Sequence, residues 1–273
     1  MEEQQKSTNI NWYPGHMAKT KRQIIEDLKL VDIVIELLDA RIPISSRNPD
    51  IVSITKNKKR LIVLNKSDLS DDTQNKLWVE YFEKNGIPAV LTDSNSGKGI
   101  DNCIKRIEDI MQETLQINAL KGRSGRKIRA MILGIPNVGK SSFINRIAKK
   151  VSAEVGNKPG VTKQKQWIRI NDKIELLDTP GVLWPKFETE EIALNLAYTG
   201  TIKDTILEQT EVAYNLVKFL LQNYRTNLCK RYKLEESYIE KILEQDQPLN
   251  LNIYEIMQEI GRKRGCIIHN RKL

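Results

Sequence analysis

Residues 134–141 read Gly134-Ile-Pro-Asn-Val-Gly139-Lys140-Ser141, and this stretch decides the fold. It follows a strand-like run at 128–134 and precedes a helical pattern at 141–149. This is the G-x-x-x-x-G-K-[ST] phosphate loop in the strand–loop–helix setting that the motif requires. The glycines let main-chain N–H groups turn towards phosphate oxygens, the lysine adds a positive charge, and the serine hydroxyl can bind Mg²⁺. We assign the phosphate contacts to Pro136, Asn137, Val138, Gly139, Lys140, Ser141 and Ser142.

Strand-length apolar runs alternate with amphipathic helical segments around this loop. Strands are predicted at 31–38, 60–64, 87–91 and 128–134, with helices at 17–30, 48–58, 71–84 and 99–118. Such alternation indicates βαβ units. Within 166–178, two extended segments meet at Asn171-Asp172, which predicts one antiparallel pair. The predicted fold class is therefore α/β, a doubly wound and mostly parallel sheet.

The strand patterns stop after about residue 186. Helical patterns follow at 188–199, 206–223, 236–245 and 252–261, the last with a clear apolar face. We therefore predict an α/β domain over 1–185, with its first 30 residues partly mobile, and a small all-α domain over 186–273.

Two segments downstream of the phosphate loop predict the rest of a magnesium site. Asp178-Thr-Pro-Gly181 ends a strand at 173–178, where Asp178 can reach Mg²⁺ through water and the Gly181 N–H can meet a γ-phosphate. The loop 156–163 carries Thr162, whose hydroxyl can bind Mg²⁺ once the γ-phosphate is present. Taken alone, these segments are an ordinary β-turn and a solvated loop. Together with Ser141 they predict the magnesium ligands.

A base-reading site is predicted from the tetrapeptide NKSD, residues 65–68, which follows the strand at 60–64. The Asp68 carboxylate can accept hydrogen bonds from N1–H and the 2-amino group of guanine, whereas adenine would leave it desolvated and unpaired. The loop 92–99 follows the next strand, and the N–H groups of Ser94 and Asn95 can face guanine O6. The predicted base site comprises Asn65, Lys66, Ser67, Asp68, Asp93, Ser94 and Asn95.

The order of these motifs is informative. In Ras-like GTPases the phosphate loop comes first, whereas here the base-reading loops precede it. Because all the loops lie at the carboxyl ends of strands, the site tolerates a chain cut elsewhere, and the order predicts a circularly permuted GTPase. The chain resembles the ribosome biogenesis GTPase A family. The residues that carry the resemblance are Trp12-Tyr-Pro-Gly-His16-Met17, Asp39-Ala-Arg41-Ile-Pro43, NKSD, GIPNVGKSS, DTPGV and Gly261-Arg-Lys-Arg-Gly265-Cys266.

The resemblance implies GTP/GDP and magnesium as cofactors and a GTPase that is slow alone and stimulated by the large ribosomal subunit, whose late assembly it assists. Val182 follows DTPG, and an apolar side chain cannot orient the attacking water. The resemblance implies His16 as the catalytic substitute, since a neutral imidazole can accept a hydrogen bond from water. It also implies Asn137 as a potassium ligand. The residues alone leave open a structural turn around His16 and a turn-stabilising Asn137.

Composition narrows the setting. The chain has 273 residues, a formal charge of +9, three cysteines and two histidines. Widely spaced cysteines argue against a disulfide framework, and the pattern lacks a secretory signal or a membrane-length apolar run. We expect a cytoplasmic monomer with no membrane or DNA partner. Basic residues at 121–129, 262–264, Arg271 and Lys272 predict contacts with rRNA phosphates of a large-subunit precursor.

Two other functions remain open on the sequence. A P-loop phosphotransferase would share residues 134–141 but would have no use for NKSD. An rRNA-binding module could keep the nucleotide only as structural support. A preference for GTP over ATP would distinguish a GTPase from the phosphotransferase. Nucleotide turnover in the presence of large subunits would distinguish it from the rRNA-binding module.

Overall fold

The computed structural model describes residues 15–122, 126–155, 167–177, 179, 187–202 and 208–266, and for 15–18 and 150–155 it describes the main chain alone. The chain divides into two compact units, Met1–Leu196 and Ala197–Leu273. The sequence placed this boundary after residue 185. Helix α6 (Glu190–Tyr198) spans the observed division, and its Asn195 donates a hydrogen bond to the Ser45 hydroxyl at 3.1 Å within the first unit.

A six-stranded sheet forms the centre of the first unit, in the order β3-β2-β1-β4-β6-β5. The strands are β1 (Ile33–Asp39), β2 (Lys59–Asn65), β3 (Ala89–Leu91), β4 (Ile128–Leu133), β5 (Trp167–Arg169) and β6 (Ile174–Leu177). Neighbouring strands are parallel except for β5, which is antiparallel to β6. The predicted fold class and its single antiparallel pair are confirmed.

The helices that flank this sheet set the position of the ligand crevice. They are α1 (Gly15–Leu28), α2 (Pro49–Ile54), α3 (Asp72–Lys84), α4 (Ile100–Leu120), α5 (Lys140–Val155) and α6. From β1 to β3 each strand is added towards one edge of the sheet, and from β4 onwards strands are added on the other side of β1. Right-handed crossovers therefore put α4 on the face opposite α2 and α3. At such a reversal, the crevice beyond the carboxyl ends of the strands is the usual ligand site. Here that crevice lies beside β1 and β4.

Burial on both faces explains why the strands read as continuous apolar runs. Every residue of β1 is buried. One apolar cluster packs Ile24 and Leu28 of α1 and Ile51 of α2 against Val34 and Met131 of the sheet. Helix α2 ends at Ile54, earlier than predicted, and Thr55 caps it by donating both its N–H and its hydroxyl to the Ile51 carbonyl oxygen, at 3.1 and 2.7 Å.

The second unit is all-helical in its described residues. It contains α7 (Gln209–Asn223), α8 (Arg225–Tyr232), α9 (Glu236–Leu243) and α10 (Leu249–Lys263). Their shared core includes Val217, Leu221, Ile239, Ile253 and Ile256. The sequence missed α8, a short and strongly polar helix that buries only two of its residues. Of the helices that the structure describes, none is long and apolar enough to cross a bilayer.

Candidate nucleotide site

The phosphate loop joins β4 to α5. Asn137 (φ +61°) and Gly139 (φ +96°) adopt left-handed backbone, a conformation that turns successive N–H groups towards an anion. A Cβ on Gly139 would lie 2.4 Å from Nδ2 of Asn65, and one on Gly134 would lie 2.6 Å from the Leu37 carbonyl oxygen. Both motif glycines are therefore required by the close approach of neighbouring strand ends.

Lys140 begins α5 and turns back onto the loop that precedes it. Its Nζ donates to the carbonyl oxygens of Gly134 and Ile135, each at 3.0 Å. Ser141 and Ser142 are exposed in the first turn of α5, where free N–H groups and the helix dipole favour an anion. The lysine and both serines thus lie together at the start of α5, and their contacts with phosphate and magnesium stay predictions.

Asn65, at the end of β2, joins three loops through one side chain. Its Nδ2 donates to the Val138 carbonyl oxygen at 2.9 Å. Its Oδ1 accepts from the Ser94 N–H at 3.2 Å, the Ser94 hydroxyl at 2.7 Å and the Thr92 hydroxyl at 3.2 Å. The side chain is 1% exposed. The structure therefore brings together the NKSD loop, the loop after β3 and the phosphate loop.

A buried carboxylate at the end of β1 supports this junction. Lys66 Nζ donates to the Asn137 carbonyl oxygen at 2.6 Å and to Asp39 Oδ2 at 3.0 Å. Arg41 holds both oxygens of Asp39, with its Nε at 2.8 Å and its Nη2 at 2.6 Å. Burial favours the neutral acid, but the hydrogen bonds and charges of Arg41 and Lys66 outweigh it and lower the pKa of Asp39.

Asp39 thus anchors the lysine of NKSD against the phosphate loop. In the sequence, Asp39-Ala-Arg41 indicated a family resemblance and no particular role. The signal was available, because Asp39 ends a strand whose neighbour, in register, ends at Asn65. Parallel strands bring their carboxyl ends to one edge of the sheet.

Asp68 lies in a short 3-10 helix, Ser67–Leu69, and is exposed. Among the residues that the structure describes, none donates a hydrogen bond to its carboxylate, although the charge of Arg41 acts on it. Asn75 steadies the turn by donating to the Ser67 carbonyl oxygen at 3.2 Å. The carboxylate predicted to read guanine is therefore open to a ligand.

The loop after β3 is more internally bonded than predicted. Asp93 accepts from the N–H groups of Asn95 at 2.8 Å and Ser96 at 3.2 Å, so it braces the loop. The Ser94 N–H is likewise used by Asn65. Contact of the Ser94 and Asn95 amides with guanine O6 stays a prediction, and it requires these amides to share or release their present acceptors.

Several predicted residues fall outside what the structure describes. Thr162, Asp178, Gly181 and Val182 are among them. His16 lies in the first turn of α1, where only the main chain is described. Their roles, and that of Asn137 towards potassium, stay predictions.

The basic runs are partly neutralised by neighbouring carboxylates. Arg126 pairs with Asp32 at 3.0 Å, and Arg129 pairs with Glu175 at 2.7 Å. Arg262 and Lys263 both pair with Glu259, at 2.9 and 3.9 Å. Arg271 and Lys272 lie outside the described residues.

The NKSD loop and the loop after β3 come first in the chain and are joined by Asn65 to a later phosphate loop, and this order defines a circularly permuted GTPase domain. The chain matches the family model for RsgA GTPase over residues 18–188 and that for 50S ribosome-binding GTPase over 129–255. It is 49% identical to Ribosome biogenesis GTPase A of Bacillus licheniformis, over 95% of this chain and 87% of that protein. The counterpart from Priestia megaterium is 47% identical, over 95% and 86%.

A solved structure shares the fold. The crystal structure of GNP-bound YlqF from T. maritima matches with a TM-score of 0.53 and 24% identity, over 90% of this chain and 95% of that one. The chain belongs to the ribosome biogenesis GTPase A family.

Proposed function

We propose that this protein binds and hydrolyses GTP as an assembly factor for the large ribosomal subunit, and that the bound nucleotide controls its affinity for the subunit. The observation that carries the nucleotide part is the Asn65 side chain, which ties the guanine-reading loops to the phosphate loop. Family membership supports hydrolysis. The match to the 50S ribosome-binding GTPase model supports the large subunit as the partner.

The described residues fit a guanine nucleotide with magnesium. The left-handed turn at Gly139 and the close approach of Asn65 leave a cradle of main-chain N–H groups for phosphate. Lys140 would exchange its loop carbonyl acceptors for β- and γ-phosphate oxygens, and the Ser141 hydroxyl would bind Mg²⁺ together with Thr162. Magnesium supplies charge neutralisation on those oxygens. Asp68 would accept the two guanine donors.

Hydrolysis by the isolated protein should be slow because Val182 cannot hold a water molecule. His16 lies at the start of α1, and we propose that docking on the subunit carries it to the γ-phosphate. A potassium ion at Asn137 would add a second positive charge beside the phosphates. Asp178 and Gly181 precede the connection into α6, so the presence of a γ-phosphate can alter how the chain continues beyond the GTPase domain.

Contact with rRNA rests on fewer residues than the sequence predicted. Arg126, Arg129 and Arg262 are already paired with carboxylates. Lys121, Lys127 and Arg264 form no ion pair within the described part of the chain, so we propose phosphate contacts for these three together with Arg271 and Lys272, which lie outside the described residues. Such contacts make binding fall with rising salt.

Single-turnover hydrolysis with large subunits, small subunits and no subunits tests the proposal. Asp68→Asn should lose GTP binding and gain xanthosine triphosphate, because the swap turns an acceptor into a donor. Asp72→Asn, at an exposed acid of α3, is the matched control and should behave as wild type. Unchanged GTP affinity in Asp68→Asn would remove the base-reading assignment. Preference for ATP would favour a phosphotransferase, and binding without turnover would favour a structural nucleotide.

The same assay examines His16. His16→Ala should bind GTP almost normally yet lose about 10²-fold or more of the subunit-stimulated rate, since water-positioning groups contribute about 10²–10⁴-fold. Full stimulation in this variant would place the catalytic group elsewhere.

A further inference from the structure

Arg146 is a contact of the base-reading loop that the sequence did not indicate. It lies on α5, the helix that begins with the phosphate-binding Lys140. Its Nε donates to the Ser94 carbonyl oxygen at 3.0 Å. A Cβ on Gly97 (φ +91°) would lie only 3.3 Å from its Cδ, so the aliphatic part of the side chain packs directly on the loop backbone. One side chain therefore holds the loop both by a hydrogen bond and by packing.

The hydrogen bond falls on a particular peptide unit. The Ser94 carbonyl and the Asn95 N–H belong to one planar peptide, so fixing the direction of the carbonyl fixes the direction of the N–H. On the other side of Ser94, its N–H and its hydroxyl both donate to Oδ1 of Asn65. Donation to the carbonyl also polarises the peptide and makes its N–H a stronger donor. This N–H is one of the two predicted to meet guanine O6.

The charge of Arg146 acts on the neighbouring acceptor as well. The Asn95 N–H now donates to Asp93 Oδ1 at 2.8 Å. The hydrogen bond with the Ser96 side chain is the first cause of the lowered pKa of Asp93, and the charge of the Arg146 guanidinium adds a smaller contribution. A positive charge beside this carboxylate weakens its pull on a shared N–H. The donor can then serve two acceptors at once, the carboxylate and a base oxygen.

We propose that Arg146 is a positioning residue for guanine specificity, which orients the Ser94–Asn95 peptide so that its N–H reads guanine O6. The inference rests on the proposed function, because it needs a guanine nucleotide in the site. Arg146 and Lys140 share one helix, so the contact also connects the base end of the site to the phosphate end. Losing it should weaken binding and speed the release of GDP.

Arg146→Met is the sharpest variant, since it keeps most of the packed stem and removes the donor. Lys149→Met removes a positive charge from an exposed position of the same helix and is the matched control. The ligands are GDP and 6-thio-GDP, in which a poor acceptor replaces O6 while the donors that face Asp68 remain. We expect Arg146→Met to lose about five- to tenfold in GDP affinity and less than about twofold in 6-thio-GDP affinity. Arg146→Lys should restore most of the loss.

Equal GDP affinity in Arg146→Met and Lys149→Met would overturn the proposal. So would an equal loss for GDP and 6-thio-GDP, because Arg146 would then support the loop without orienting the O6 donor. If Arg146→Met fails to fold, Arg146→Leu serves, since its side chain has no N–H donor for the Ser94 carbonyl oxygen. Failure of the wild type and of Lys149→Met to bind GDP would instead refute the proposed function.

Discussion

Replacing Asn65 by alanine should destabilise the α/β unit and remove tight nucleotide binding at the same time. The substitution deletes four hydrogen bonds, one donated to Val138 and three accepted from Thr92 and Ser94. The partners are left where Asn65 itself is 1% exposed. At about 0.5–1.5 kcal/mol for each bond, the free energy of unfolding should fall by about 2–6 kcal/mol. That is a large fraction of the total stability of a typical domain.

Asn65→Asp distinguishes the hydrogen bonds that Asn65 accepts from the one that it donates to the phosphate loop. The carboxylate keeps an acceptor for Ser94 and Thr92, but it cannot donate to the Val138 carbonyl oxygen and repels it. We expect a smaller loss of stability than in Asn65→Ala. GDP affinity should still fall strongly, because the phosphate loop is the part that is released.

Urea unfolding followed by tryptophan fluorescence measures the first effect, and calorimetric titration with GDP measures the second. All four tryptophans precede residue 197, so the fluorescence reports on the unit that contains Asn65. Asn102→Ala, at an exposed position of α4, is the control and should stay within about 0.5 kcal/mol of wild type. An Asn65→Ala protein as stable as this control would refute the account of Asn65 as the residue that joins the loops.

Two further predictions concern backbone strain and acid sensitivity. Gly99→Ala should lower the free energy of unfolding by about 2 kcal/mol or more, since its Cβ would lie 2.1 Å from a carbonyl oxygen of β3. Gly86→Ala, also at positive φ but with open space around it, should lower it by about 1 kcal/mol. Similar losses for the two variants in urea unfolding would contradict this. The pKa of Asp39 is lowered by folding, so its contribution to stability is present above its ordinary value of 3.8 and is lost as the pH falls through the folded value. The stability gap between wild type and Asp39→Asn should therefore narrow in acid, and a gap independent of pH would contradict the assignment.

Much of the site could be predicted because the topology does most of the positioning. Once residues 128–149 are recognised as strand, phosphate loop and helix, the parallel-strand rule brings NKSD and the loop after β3 to the same edge. The antiparallel pair was also predictable. Asn171 Oδ1 accepts from the N–H groups of Lys173 and Ile174, each at 2.8 Å, which is the local turn chemistry that asparagine favours.

What the sequence could not provide depends on side-chain reach between distant segments. Arg146 looks like any charged residue on an amphipathic helix, and its contact with Ser94, 52 positions earlier, follows only from the packing of α5 beside that loop. The use of the Asn95 N–H by Asp93 was missed for a related reason, since it depends on the exact turn the loop adopts. Helix α8 was missed because its few buried residues give too weak an apolar pattern.

Asn65 and Val138 are 73 positions apart in the chain, so the two partners of this hydrogen bond are translated at different times. Strands β1, β2 and β3 leave the translating ribosome first, and one edge of β1 then keeps unpaired N–H and C=O groups until β4 pairs with it. During that interval Asn65 lacks its carbonyl partner, because Val138 follows β4 in the chain. In an unpermuted GTPase the half that carries the phosphate loop is translated first. Here the half that carries the NKSD loop is translated first, so the nascent chain gains its phosphate loop only about halfway through its own translation.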